Sequence, residues 1–163
     1  MPFDNRLRRT LRRLDRAPRP IRRWLVSSAL GRTIHFVGTA GLSIDELSPE
    51  RAVVSVANKR RVQNHIGTVH AAAMALLAET ATGLALGMHL HDEAVPVIKQ
   101  MSVDFLRRAK GGMRAIAVLD ADQQALLQSA ERGEVLVPVS VTDSEDNTPI
   151  ECRMLWAWTP RRR

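Results

Sequence analysis

The chain has 163 residues, of which 45% are apolar and 25% charged, as in one folded domain with a buried core rather than a disordered or fibrous protein. Its single cysteine, Cys152, excludes an internal disulfide and a cysteine-built metal site and makes a reducing compartment the default. The net charge of +7 belongs wholly to residues 1–23, where nine arginines face Asp4 and Asp15; the other 140 residues balance 15 basic against 15 acidic side chains, so no nucleic-acid partner is expected.

Residues 3–16 read as a short basic amphipathic helix, with Phe3, Leu7, Leu11 and Leu14 on one face and Asp4 as candidate N-cap. Pro18 and Pro20 break it, and a second short helix over about 21–30 ends near Gly31. Two readings of this extension, residues 1–31, stand side by side. One is peripheral contact with an anionic membrane or an acidic partner; the other is a solvated helix packing its leucines on the outside of the domain. Arg22-Arg23 before WLVSSAL superficially resembles a twin-arginine signal, and an arginine-rich transit peptide is a further reading. The apolar run is short for either and carries Ser27 and Ser28. The expected location is cytoplasmic, with any membrane contact peripheral.

From Thr33 to Glu46 the sequence reads as a strand bent at Gly38 and Gly41, then a turn at Ser48-Pro49-Glu50 and a second strand over 51–57. A polar loop, 58–69, leads into residues 71–88, almost all apolar or small, which suit a helix about 27 Å long. A helix apolar all round is either a membrane span or a core helix wrapped by other elements. Gly83-xxx-Gly87 resembles a membrane packing motif, but the alanine content and the central Glu79 argue for the core. Strands follow over 95–107, with Val97, Met101, Val103 and Phe105 on one face, and over 113–119, 134–141 and 150–158; a helix over 121–132 interrupts them. Short connections make the sheet largely antiparallel. The expected class is α+β, a curved antiparallel sheet around one long helix.

Glu79 is the most informative residue, because a buried carboxylate is costly unless it is paired, protonated or catalytic. Burial should raise its pKa towards that of a general base working near neutral pH. The free amides at the start of its helix, around Ala71, suit an oxyanion. His70 and Glu79 lie nine residues apart, about 13 Å along the axis and on opposite sides, so they meet one reacting group only across two chains. Bland readings remain open: Asn64 as a turn residue, His70 as a helix-start hydrogen-bonder, Glu79 in an interface network. His89 and His91 with Asp92 and Glu93 lack metal-ligand spacing and read as a polar turn. Lys59-Arg60-Arg61 and Arg107-Arg108-Lys110 read equally as phosphate ligands or as solvated charge.

The pattern Asn64-x-x-Gly67-x-x-His70-Ala71-Ala72, with Glu79 nine residues after His70, resembles the hotdog-fold acyl-CoA thioesterases. Their phenylacetyl-CoA-thioesterase-like branch reads N-x-x-G-x-x-H-G-G with an acidic residue at the same distance, and SVDFLRRA over 102–109 is similar to its third-strand signature. Ala71 and Ala72 replace the paired glycines and Glu79 the more usual aspartate; these variants also resemble an uncharacterised thioesterase-like branch. The resemblance implies a hotdog domain over 32–163 preceded by the helical extension 1–31. It also implies a homodimer or tetramer with composite sites, and hydrolysis of an acyl-CoA or related thioester. Coenzyme A would be part of the substrate, with neither metal nor redox cofactor. Glu79 would be the general base or nucleophile, and the Ala71 amide the oxyanion donor. Asn64 would orient the water or carboxylate, and His70 would hold the loop or polarise the thioester carbonyl. Gly67, Ala72, Ser102, Arg107 and Arg108 would line the substrate. Two rivals stand beside this reading. One is a hotdog dehydratase or hydratase, which His65, fourteen residues before Glu79, would serve; the other is a non-catalytic acyl-thioester-binding or membrane-associated scaffold.

Overall fold

The computed structural model describes residues 3–161. Its centre is α4, Ala71–Gly87, seventeen residues whose Ala73, Met74, Leu77, Ala78, Ala81, Leu84, Ala85 and Leu86 are buried. Seven antiparallel strands enclose it. Ser43–Leu47 (β1), Ala52–Val56 (β2), Met113–Ala117 (β4) and Val139–Asp143 (β6) form one sheet in the order β1-β2-β4-β6. Ala94–Phe105 (β3), Ile150–Pro160 (β7) and Gly133–Val137 (β5) form the other, in the order β3-β7-β5. The expected curved sheet around a long helix is present, with its hydrogen bonding divided where β6 passes beside β7.

The two tryptophans of β7 fasten sheet to helix. Trp156 Nε1–H donates to the Thr82 hydroxyl at 3.0 Å, and that hydroxyl donates to the Ala78 carbonyl at 2.9 Å, so a polar pair sits in the core with its bonds satisfied. Trp158 Nε1–H donates to the Ala130 carbonyl at 2.9 Å. Gly83 lies under Trp156, where an added Cβ would come within 2.9 Å of the indole ring. The wrapping is incomplete. Ala72, Ala75, Glu79, Gly83 and Gly87, spaced three or four apart, form a stripe of α4 left partly open.

The N-terminal extension docks on the far end of that helix. In α1, Arg6–Leu14, the N-cap is Asn5 rather than Asp4: the Asn5 side chain accepts the Arg8 N–H at 2.9 Å, while Asp4 pairs with Arg12. The Asn5 amide also donates to the Gly87 and Leu90 carbonyls, at 3.0 and 2.8 Å, satisfying groups that the end of α4 exposes. Leu11 joins the main core. Among the described residues, no helix is long and apolar enough to cross a membrane.

Four sequence expectations change. Residues 33–40 are helical apart from the junction at Ile34: α2 spans Arg19–Thr33, α3 spans His35–Ala40, and β1 begins only at Ser43. Gly38 is no strand bend; it lets α3 approach α2 so closely that a Cβ there would clash with the Gly31 carbonyl. Gly41, at φ 68°, is the left-handed cap that ends α3. The run 134–141 is two strands in different sheets, parted at Pro138, which has no N–H to give to a ladder. The second helix of the hotdog region, α5, is shorter than expected, Ala121–Ser129, and is set by a capping box between Asp120 and Gln123. Finally, the β3–β7 register slips between Ile98 and Gln100. The extra residue shifts the alternation by one, so Val97 pairs beside Ala157 on the outer face while Met101, Val103 and Phe105 pair with Met154, Cys152 and Ile150 on the inner one.

Candidate functional site

The chain enters α4 through a 3-10 turn, Arg60–Val62, and a loop closed by a bridge between Gln63 and Val69. Asn64 builds that loop. Its Oδ1 accepts the Ile66 and Thr68 N–H groups, each at 3.1 Å, and its amide donates to the Thr68 hydroxyl at 2.9 Å. Gly67 takes φ 76°, open to glycine without strain, and its carbonyl accepts from the Asn58 amide at 3.0 Å. Within one protomer, therefore, Asn64 and Gly67 shape the loop, and the Asn64 side chain is spent on local bonds.

His70 caps α4: its Nδ1 accepts the Ala72 N–H at 3.0 Å, which places the ring proton of the neutral imidazole on Nε2. The His70 carbonyl takes the Ala73 and Met74 N–H groups at 2.9 and 3.0 Å. The Ala71 N–H is left without an acceptor among the described residues, at the positive end of the helix. Beside it lies a cavity of about 170 Å³ lined by Phe36, Thr39, Arg61, Gln63, His70 and Ala72. Sequence reasoning missed Gln63, Phe36 and Thr39. The last two belong to α3, a segment whose β-branched residues favour a strand.

Glu79 is half-buried on the open stripe of α4, two turns beyond Ala71. Among the described residues its carboxylate has one hydrogen-bond partner, the neighbouring Thr80 hydroxyl at a long 3.5 Å, and no ion pair. Burial pushes its pKa above the ordinary glutamate value, weakly opposed by Thr80. Ala71 and Glu79 are about 12 Å apart along the helix axis and cannot grip one small group within a single chain.

The structure does not bring Ser102 to Glu79. Ser102 pairs beside Arg153 on the outer face of β3, away from α4, whereas Met101 and Phe105 lie on its inner face and stay exposed. Arg107 and Arg108 are exposed just after β3 and form no ion pair among the described residues. Lys110 is committed to Glu145 at 2.6 Å. Arg61 lies against Gly41 at the rim of the cavity beside His70. His65 is exposed in the turn.

His89 is structural. Its Nε2 meets the Pro49 carbonyl at 2.8 Å, and its Nδ1 meets Arg8 and Gln128 at 3.1 and 3.0 Å, tying α1 and α5 to the β1–β2 turn. Burial, with the Arg8 charge, holds its pKa down despite the Pro49 contact. His91 contacts the Gln128 carbonyl and stands edge-on to Phe3. Burial, then the charge of Asp104, pushes the Cys152 thiol up to about 11, which makes it a poor nucleophile.

A family model described as a domain of unknown function, DUF4442, matches residues 22–158. A crystal structure of a protein of unknown function from Pseudomonas aeruginosa, named a probable thioesterase, is similar at a TM-score of 0.75 and 26% identity, over 84% of this chain and 95% of that one. A thioesterase from Haemophilus influenzae matches at 0.67 and 16% identity, over 84% and 92% of the two chains. A thioesterase from Staphylococcus aureus matches at 0.65 and 20%, over 77% and 99%. The fold these share with the present chain is the hotdog. The chain belongs to the DUF4442 family, within the thioesterase-like hotdog superfamily.

Proposed function

We propose that this protein hydrolyses an acyl-CoA or a closely related acyl thioester, in a homodimer whose two sites each combine residues of both chains. The observation that carries this reading is Glu79: a carboxylate with raised pKa, no counter-ion among the described residues, and one side open along α4. Its carboxylate accepts a proton from water as that water attacks the thioester carbonyl, or attacks the carbonyl itself. The developing oxyanion is met by an unpaired amide at a helix start, the place of the Ala71 N–H. On the general-base route the thiol leaves with the proton that Glu79 holds. On the nucleophilic route the thiolate leaves as a mixed anhydride forms on Glu79 and takes its proton from solvent; water then hydrolyses the anhydride to free acid and Glu79 carboxylate. Coenzyme A would offer its phosphates to Arg107 and Arg108, or to the Lys59–Arg61 run, all of them exposed, with the Arg61 guanidinium lying against Gly41.

A binding scaffold would fill this site. Met74 and Met88 are instead buried in the core, and α1 sits at the opposite end of α4, so neither closes the space around Glu79. The test is thiol release from acyl-CoAs of varied chain length, with Glu79→Gln in parallel. The variant should lose turnover by about 10² to 10⁴ while still binding substrate. Equal turnover in wild type and variant would sink the role of Glu79, and no turnover with any substrate would sink the activity.

A further inference from the structure

We propose that the outward face of α2, together with the arginines of α1, docks this protein on the surface of an anionic lipid bilayer. Val26 turns α2 into the core, and the opposite side presents Ile21, Trp24, Ser28 and Arg32, spaced three, four and four apart. Ile21 is 52% exposed and Trp24 64%, the latter the most exposed large apolar side chain described. A tryptophan beside an aliphatic residue, one turn apart on a fixed helix, suits the boundary between headgroups and acyl chains.

The charge that precedes this pair in the chain is complementary to such a surface. Arg9, Arg12, Arg13 and Arg16 share one face of the α1 segment and rim a single shallow concavity. Arg9 and Arg12 share Asp4, and Arg9 also meets Asp92, but Arg13, Arg16, Arg19 and Arg32 make no ion pair among the described residues. These cations are presented by structure and not by a loose tail, because Asn5 and Arg8 pin α1 to the end of α4. Residues 24–163 sum to zero charge, so the net positive charge of the chain comes from the segment that forms α1 and the start of α2. A nucleic acid would reward the arginines but leave Ile21 without an apolar contact; a bilayer rewards both. The inference stands independently of the proposed activity.

The test uses the full chain with vesicles of phosphatidylcholine, with and without phosphatidylglycerol. Trp156 and Trp158 are 6% and 1% exposed, so a blue shift in fluorescence on binding reports Trp24. Binding should require phosphatidylglycerol, weaken with salt, and fall roughly tenfold or more in Ile21→Ser/Trp24→Ser and again in Arg13→Gln/Arg16→Gln, with unchanged Tm. Equal binding by the serine variant, absence of binding to the anionic vesicles, or competition by duplex DNA without any blue shift would each overturn the proposal. So would a serine variant whose only change is a smaller oligomer, since a second copy would then be the occupant.

Discussion

Ala71 occupies the first turn of α4, the one helical position where proline fits without breaking the helix. Its predecessor His70 sits at φ −67° and ψ 144°, the extended geometry that a following proline demands. Ala71→Pro therefore removes the unpaired N–H while leaving the helix start intact. If that amide holds the oxyanion, kcat for thioester hydrolysis should drop about 10²-fold to 10³-fold with little change in KM. An unchanged kcat in a folded variant would assign the oxyanion to another donor. Glu79 offers a second test, in stability. Its folded pKa is raised, so between its unfolded and folded values the folded state holds the extra proton and stability falls as pH rises. Glu79→Gln removes that penalty. The variant should melt higher than wild type at neutral pH, and the gap should close as pH falls below the ordinary glutamate range. A gap that persists at acid pH would assign the gain to packing. In the active enzyme, kcat/KM should rise with pH through the same raised pKa.

At the scale of elements, Gly38 marks where local sequence and tertiary packing disagree. Thr33, Ile34, Val37 and Thr39 favour a strand by type, yet the segment is helical because the α2–α3 crossing needs two glycines in contact. Gly38→Ala gains at most about 1 kcal/mol in helix propensity but sets a Cβ against backbone, where overpacking costs about 1–3 kcal/mol. Lower stability in denaturant titration is the expected outcome; a stabilised variant would mean the helices part freely. The long apolar helix, the capping histidine and the lone carboxylate were legible, because periodicity, composition and loop spacing are written in consecutive residues. The β3 bulge was not. A one-residue slip against β7 depends on a partner more than fifty residues away, and it separated Val97 from Met101 and turned Ser102 outward. Asn64 was legible as a motif position, but that its side chain is consumed within its own loop depends on the folded geometry of that loop.

On the scale of the whole molecule, the strand edges are covered unequally. The edge of β1 lies against α2, where the Ile44 N–H donates to the Ser27 hydroxyl at 2.8 Å. The edge of β5 is met by α5, whose Gln123 amide donates to the Leu136 carbonyl at 2.8 Å, and β6 passes beside β7. Among the described residues the twelve of β3 pair with β7 alone. Its inner face also leaves Met101 48% and Phe105 55% exposed. A long uncovered edge bearing exposed apolar side chains is what a symmetric partner removes, and a two-fold pairing would set Glu79 of one chain towards the helix start of the other. Met101→Lys with Phe105→Lys places two charges where that partner would lie, without touching the packed side of β7. Sedimentation velocity should show wild type as a dimer or tetramer and the double variant as a folded monomer. Thioesterase turnover should fall with the dimer, although Glu79 and the Ala71 amide are both intact in each chain. A fully active monomer would contradict the composite site and require the base and the oxyanion donor to come from within one protomer.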